Sequence, residues 1–282
     1  MTQPDLDIAH LTETDLPEAG AVLDAAFGRQ GMTGNLRAAH ALQPASWFCA
    51  RRDGQITALV GAYDYGAFCC IGMMAVHPAA QRQGIGERLL AYLLDHVAAP
   101  VALLDASDAG QRLYPRLGFR PEGETLRLSL LRPPGGETGG AAAVARLAED
   151  DLPDVAAFDA PIFGADRFAV LRGFWRVAPE RVLLARDEAG GIAGFLFSNG
   201  NHIGPWCAVT PAAAGQLLSA ALAQPWRVPP MLTCPADNRA ALALLEARGF
   251  AVTERLLHMR RGGTHDPRQT VLLYGQASLT LG

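Results

Sequence analysis

The segment Val76-His77-Pro78-Ala79-Ala80-Gln81-Arg82-Gln83-Gly84-Ile85-Gly86-Glu87-Arg88-Leu89-Leu90 runs from an apolar, strand-like stretch through two glycines into a helical pattern. Glycines let successive backbone N–H groups turn inward with no Cβ in the way. The helix that follows offers its unsatisfied first-turn donors and the positive end of its dipole. These are the parts of an anion cradle, and a pyrophosphate suits it. Two other phosphate motifs fail. A dinucleotide G-x-G-x-x-G turn needs glycine where Leu89 stands, and it passes at once from strand to helix, whereas seven residues separate Val76 from Gly84. Asp105 lies about twenty residues downstream, where that motif places a ribose-binding acid, but does not repair those two mismatches. A P-loop needs Gly-Lys-Ser/Thr, and the chain contains no Lys. Schiff-base chemistry on Lys is excluded with it.

The elements that position this loop occur twice. Leu11-Thr-Glu-Thr-Asp15-Leu16-Pro17 returns as Leu147-Ala-Glu-Asp-Asp151-Leu152-Pro153, and Phe27-Gly28 returns as Phe163-Gly164, both at an offset of 136. Val76-His-Pro78 answers Val209-Thr-Pro211 at 133, and Leu117-Gly118-Phe119 answers Arg248-Gly249-Phe250 at 131. An ordered series of landmarks at nearly constant spacing marks a duplicated domain. Between the copies, Arg132-Pro-Pro-Gly-Gly-Glu-Thr-Gly-Gly140 has the composition of a linker. The spacing therefore predicts one domain over residues 1–132, a linker over 133–140 and a second domain over 141–282.

Each copy reads as mixed α/β. In the first, Thr14 or Asp15 can cap a helix to about Ala26. Trp47–Arg51 and Ile56–Ala62 form a hairpin on Asp53-Gly54, repeated in the second copy as Val182–Arg186 and Ile192–Phe197 about Gly190-Gly191. A buried strand Cys70–Val76 precedes the glycine loop, and Leu89, Leu90, Leu93, Leu94 and Val97 make one face of the helix after it. Val101–Leu104 is a further strand. Asp108–Leu117 suggests a helix ended at Gly118 and kinked or shortened by Pro115.

Gln81-x-x-Gly84-x-Gly86 after Val76-x-Pro78 resembles the Q/R-x-x-G-x-G/A acyl-CoA loop of the GNAT superfamily of N-acetyltransferases. Leu113-Tyr114-Pro-Arg-Leu-Gly118-Phe119 resembles the same family's closing motif, in which a Tyr stands a few residues before Gly-Phe. The order and spacing hold within about forty-five residues, and the duplication resembles tandem GNAT proteins over nearly the whole chain. The resemblance implies an α/β (α+β mixed sheet) fold in two tandem GNAT-like domains. It implies acetyl-CoA as co-substrate and transfer of acetyl to a primary amine by direct attack, without a metal. Backbone N–H groups of Gln81, Arg82, Gln83, Gly84, Ile85 and Gly86 would hold the pyrophosphate, and Met74, Ala75 and Val76 would pair with the pantetheine arm as an added strand. Tyr114 would be the catalytic acid facing the sulfur. Ser107 stands where the family often has Asn, and Gly110 where it often has Ala; Ser107 can still donate one hydrogen bond to pantetheine.

The second copy departs further. Its loop reads Ala212-Ala-Ala-Gly215, without paired glycines, and Leu245 replaces the Tyr, although Asn238 and Ala241 keep the family's residues. It is expected to retain the fold, lose acetyl-CoA chemistry and help shape the acceptor pocket. His77, Asp105, Asp64 and His40 are weighed as the base that relieves the amine of its proton, and each reads first as a cap, strand-end or loop residue. A non-catalytic acetyl-CoA sensor or interaction module is the rival reading, and retention of Tyr114 beside an intact loop favours the enzyme.

Composition narrows the partners. The chain has 282 residues, 50% hydrophobic and 18% charged, with a net charge of −4. Low-hydrophobicity disorder is out, and nucleic acid lacks the dense positive field it needs. The absence of a docking tract favours a small-molecule amine over a protein acceptor. No apolar run is long enough to span a membrane. Five cysteines without C-x-x-C spacing, and an N-terminus without a basic and apolar leader pattern, predict reduced thiols in a cytoplasmic protein.

Overall fold

The computed structural model describes residues 6–131 and 144–282, so the expected linker 133–140 lies outside the described residues. The first copy forms β1 (Asp7–His10), α1 (Leu16–Phe27), α2 (Met32–Leu42), β2 (Trp47–Arg52), β3 (Gln55–Asp64), β4 (Cys69–Val76), α3 (Ile85–His96), β5 (Ala102–Ala106) and β6 (Arg120–Leu130). The second repeats the series as β7 (Val144–Arg146), α4 (Leu152–Phe163), α5 (Phe168–Val177), β8 (Leu183–Arg186), β9 (Ile192–Asn199), β10 (His202–Ala208), α6 (Pro211–Leu222), β11 (Met231–Pro235), α7 (Arg239–Ala247) and β12 (Phe250–Arg261). A last strand, β13 (Leu273–Gly275), has no counterpart among the described residues of the first copy.

The repeated sequence landmarks are the ends of matching helices. Pro17 and Pro153 sit in the first turns of α1 and α4, where a missing N–H costs nothing, and Gly28 and Gly164 end them in the left-handed region. Alternation sorts the strand residues between two faces. Phe48, Ala50 and Val60 pack with Leu89, Leu90 and Leu93 of α3, while Trp47, Cys49 and Leu59 pack with Leu16, Leu23 and Leu36 of α1 and α2.

The strands form one sheet in the order β1-β2-β3-β4-β5-β12-β6-β11-β10-β9-β8-β7. The closing strands are therefore exchanged. β12 of the second copy pairs with β5 (Leu257 with Ala106, Arg261 with Ala102), and β6 of the first copy pairs with β11 (Thr125 with Pro235, Ser129 with Met231). β6 and β12 pair with each other from Arg120–Arg260 to Leu130–Phe250 and form a seam between the copies. Each copy's last strand completes the other's part of the sheet, which a division into contiguous segments does not anticipate.

A second departure lies after β5. Residues 108–113 form turns, followed by a short 3-10 helix at Tyr114–Leu117, instead of the expected longer helix. Pro115 disfavours α-helical geometry at the preceding residue, and Gly110 adds backbone entropy. The second copy has neither obstacle, and Asn238 caps α7 there through the amide of Ala241 at 2.9 Å. Among the described residues no helix is long and apolar enough to cross a membrane.

Candidate active site

β4 and β5 run parallel and pair at Cys69–Ala102, Cys70–Leu103 and Ile71–Leu104, then separate. Toward β5, the backbone of β4 beyond Ile71 has no strand partner among the described residues. A bulge falls at this point: Gly61 pairs with Gly72 and Leu59 with Ala75, so Met73 and Met74 together stand opposite Val60. Met73 adopts a φ of 49°, which a non-glycine residue rarely takes, and the bulge re-aims the strand edge as it leaves β5. Met74, Ala75 and Val76 line the open edge. Met74 and Val76 face α3, and Ala75 faces α1 and α2.

The loop after β4 forms a cradle at the mouth of this gap. Arg82 and Gly84 are both left-handed, with φ of 60° and 76°, and Gly84 caps α3 without a side-chain hydrogen bond. Among the described residues, the N–H groups of Arg82, Gln83, Gly84, Ile85 and Gly86 donate to no protein group. Side chains brace the loop from outside: Gln81 Nε2 donates to the Val76 carbonyl at 3.0 Å, Gln83 Nε2 to the Ala79 carbonyl at 3.3 Å, and Arg52 to Gln83 Oε1. Gly86 lets the helix approach the strand. A Cβ there would lie 3.1 Å from Met74 Cε and 3.4 Å from Val76 Cγ2. Convergent free donors at a helix N-terminus bind a phosphate group, so these residues fit the pyrophosphate of an acyl-CoA.

Tyr114 is 8% exposed and shares the apolar cluster of Ala106, Ile85 and Leu89, with Phe119 edge-on at 5.9 Å. Its ring lies against Gly110, where a Cβ would come within 2.8 Å. Its hydroxyl has no protein hydrogen-bond partner among the described residues, yet is not among the fully buried orphaned atoms, so it reaches open space. Burial pushes the phenol up to about 12 and keeps it a proton donor. Ser107 is exposed just past β5, where its carbonyl accepts from Gly110 N at 2.8 Å and Gln111 N at 3.1 Å.

The same gap in the second copy is filled by the chain itself. β10 and β11 pair only at His202–Met231, and β13 then lies against β10, with Trp206 opposite Gly275 and Cys207 opposite Leu273. Asn238 Nδ2 donates to the Leu273 carbonyl at 3.0 Å, and Gln276 N donates to the Thr233 carbonyl at 2.9 Å. The anion cradle is closed as well. Thr210 caps α6 by accepting from Ala213 N at 3.2 Å, and Pro211 has no N–H to offer.

The residues weighed as bases are engaged elsewhere. His40 Nε2 donates to the Leu11 carbonyl at 2.9 Å, His77 Nδ1 accepts from Ala79 N at 3.3 Å, and Asp64 accepts from Gly66 N at 2.7 Å and Ala98 N at 3.3 Å. Asp105 is the first β5 residue past the pairing with β4. It accepts from Thr125 Oγ1 at 2.6 Å and His258 Nδ1 at 2.8 Å. His258 Nε2 in turn donates to Asp266 at 3.1 Å, and Arg268 donates to Asp266 at 2.7 Å. Burial alone would raise the Asp105 pKa, but the hydrogen bond and charge of His258, with Thr125 and Arg268, hold it below the usual carboxylate value. A carboxylate held low is a weak base. Sequence reading found Asp105 but not its partner, which stands 153 residues away. Among the described residues no group of three or more His, Cys, Asp or Glu is arranged to hold a metal.

Comparison with known proteins agrees with this geometry. Residues 43–121 and 155–275 each match a family model described as an acetyltransferase (GNAT) domain. The chain belongs to the GNAT acetyltransferase family, with two such domains in tandem, and is an acyltransferase of that family. It is 25% identical over 240 residues to the uncharacterized N-acetyltransferase YitH of Bacillus subtilis (strain 168), covering 82% of each chain. Its fold resembles a putative acetyltransferase from Pyrococcus horikoshii, with a TM-score of 0.84, 24% identity and coverage of 98% of this chain and 96% of that one. A GCN5-related N-acetyltransferase from Sphaerobacter thermophilus is similar at a TM-score of 0.73 and 19% identity, covering 95% of this chain and 100% of that one.

Proposed function

We propose that the first copy binds acetyl-CoA and acetylates a primary amine by direct attack, while the second copy is a structural partner without a cofactor of its own. One contrast carries this reading: the gap beside β4 is open and edged by free donors, whereas the equivalent gap beside β10 is occupied by β13. When bound, acetyl-CoA supplies a thioester whose carbonyl carbon accepts the amine.

The N–H groups of Arg82 to Gly86 hold the pyrophosphate, whereas that of Gln81, expected to join them, donates to the Pro78 carbonyl at 3.4 Å. Each charge-assisted bond of this kind is worth about 1.5–3 kcal/mol. The edge of Met74 to Val76 pairs with the pantetheine amides, and Ser107 donates to the same arm. Tyr114 donates a hydrogen bond to the sulfur as the C–S bond breaks. A phenol near 12 is a weaker acid than a thiol of about 8.5, so stabilising the developing thiolate by hydrogen bonding matters more than complete proton transfer. The amine forms the new C–N bond as the C–S bond breaks, the sulfur leaves as a thiolate, and water carries to it the proton lost by the amine.

The test is simultaneous measurement of thiol release and amide formation with a panel of small primary amines. The reading predicts the two in equal amounts. Thiol release without amide, or neither product with any amine, contradicts it.

A further inference from the structure

The pantetheine arm of an acyl-CoA counts about thirteen bonds from phosphate to sulfur, the backbone length of four to five strand residues, or roughly 15 Å. Laid from the cradle along Val76, Ala75 and Met74, such an arm ends beside Met73 and Gly72. Its acyl group then lies at the fork, just short of Ile71 and Leu104, the last pair of β4 and β5. What surrounds the fork decides which acyl groups fit. The first copy closes two sides: the Ile71–Leu104 pair shuts the end, and on the α3 side Ile71, Leu104, Ala106 and Tyr114 pack in one cluster.

The third side comes from the second copy. Side chains alternate along a strand, so Gly72 and Asp105, each one residue past that pair, face away from α3. There segment 276–282, which follows β13, crosses the fork from one strand to the other. Gln276 Nε2 donates to Asp105 Oδ2 at 3.4 Å, and Thr280 lies on Gly72, where a Cβ would come within 2.3 Å of Thr280 Oγ1 and 2.7 Å of Thr280 Cα. Thr280 thus stands where β4 has no side chain of its own. It is 4% exposed, and its hydroxyl has no protein hydrogen-bond partner among the described residues yet is not among the fully buried orphaned atoms, so it borders open space. The segment is held firmly. Ser278 Oγ accepts from Thr280 N at 3.2 Å and Leu281 N at 3.1 Å, and Ala277 N donates to the Gly282 carbonyl at 2.7 Å, closing a tight turn. Ala277 and Leu281 pack with Tyr63 of β3 and Val170 of α5, and the Tyr65 hydroxyl donates to the Leu281 carbonyl at 2.6 Å. Both copies grip it.

We propose that Thr280, supplied by the second copy, is the stop that limits the transferred acyl group to acetyl in the first copy's site. An acetyl methyl reaches the stop and ends there. Each further methylene must displace Thr280 or the turn that carries it, and a packed site resists added volume. The amine attacks the carbonyl next to that methyl, so the same segment borders the acceptor's path. The inference rests on the reading that the first copy binds acyl-CoA in the β4–β5 gap.

Its test is calorimetric titration of wild type, Thr280→Ala and Thr280→Val with CoA, acetyl-CoA and butyryl-CoA, which needs no acceptor. Affinities are compared as ratios to free CoA, which has no acyl group to meet the stop. Wild type should bind acetyl-CoA at least tenfold more tightly than butyryl-CoA. Thr280→Ala should erase most of that preference by gaining affinity for butyryl-CoA, a gain that a damaged fold does not give. Thr280→Val, which keeps the volume and loses the hydroxyl, should retain the preference. Equal binding of the two thioesters by wild type, an undiminished preference in Thr280→Ala, or a lost one in Thr280→Val overturns the proposal. The predicted pattern without acetyl transfer to any amine upholds the stop and overturns the amine-acetylation reading instead. No binding of any of the three overturns the cofactor reading and the stop with it.

Discussion

Asn238 Nδ2 donates to the carbonyl of Leu273 at 3.0 Å, so the side chain standing at the family's pantetheine-binding position in the second copy grips the protein's own backbone. The same side chain accepts from Ala241 N at 2.9 Å and caps α7. β13 thus takes the place of an added strand beside β10, and the second copy is complete as folded.

Asn238→Ala removes both bonds at a fully buried position. A lost cap and a lost buried hydrogen bond together destabilise by about 2 kcal/mol. Chemical denaturation should show that loss, with affinity for CoA unchanged. A drop in CoA affinity as large as the drop in stability would mean that the second copy takes part in binding.

Tyr114→Phe removes the only polar atom of a ring that otherwise packs unchanged. Loss of one donor to a developing negative charge costs on the order of 100-fold in kcat. Steady-state kinetics should give that loss with CoA affinity retained. An unchanged kcat removes Tyr114 from the mechanism.

Gly72→Ala probes the contact between the chain's last segment and β4. The new methyl would lie 2.3 Å from Thr280 Oγ1 and 2.7 Å from Thr280 Cα, too close for a rotamer change to relieve. Such overpacking costs about 1–3 kcal/mol. Faster proteolysis near residues 276–282 and a rise in the acceptor's KM, at constant CoA affinity, are the expected results. Wild-type proteolysis and KM would show that this segment takes no part in shaping the acceptor site.

His258 ties the copies together in a pH-dependent way. Burial alone would lower its pKa, but hydrogen bonds to Asp105 and Asp266 outweigh burial and the nearby Arg268, and raise it above 6.5. A group raised on folding stabilises fully below its unfolded value and loses that contribution as pH climbs through the folded one. Asp105 and Asp266 are held low, so their contributions are lost only in acid. His258→Gln should cost about 3 kcal/mol near pH 6. The difference from wild type should shrink as the pH climbs above 6.5 and through the raised folded value, as read by thermal melts across that range. A difference independent of pH would mean that His258 is neutral in the folded protein.

The parts of the fold that depend on local pattern were legible in the sequence. The Pro17 and Pro153 helix starts, the Gly28 and Gly164 stops, and the glycine cradle at 84 and 86 each follow from a residue's own backbone chemistry. Strand exchange was not legible, because the alternation of β6 and β12 says which face each residue takes but not which copy's edge the strand meets. Leu273-Tyr274-Gly275 is too short to show a period, and only Asn238, kept in a copy without its cradle, could have hinted at an occupant for the second gap. The Met73 bulge carries no sequence signal, since φ is positive at a residue that ordinarily avoids it. The partners of Asp105 were hidden by distance along the chain, and so was the approach of Thr280 to Gly72.

The central claim is a single working cofactor site, in the first copy. Calorimetric titration with CoA and acetyl-CoA, on wild type and Gly84→Glu, tests it most directly. The glutamate would place a negative charge in the anion cradle and strain a residue with φ of 76°. The account predicts one cofactor per chain and no measurable binding to the variant, with its melting profile otherwise retained. Two cofactors per chain, or undiminished affinity in Gly84→Glu, would contradict it.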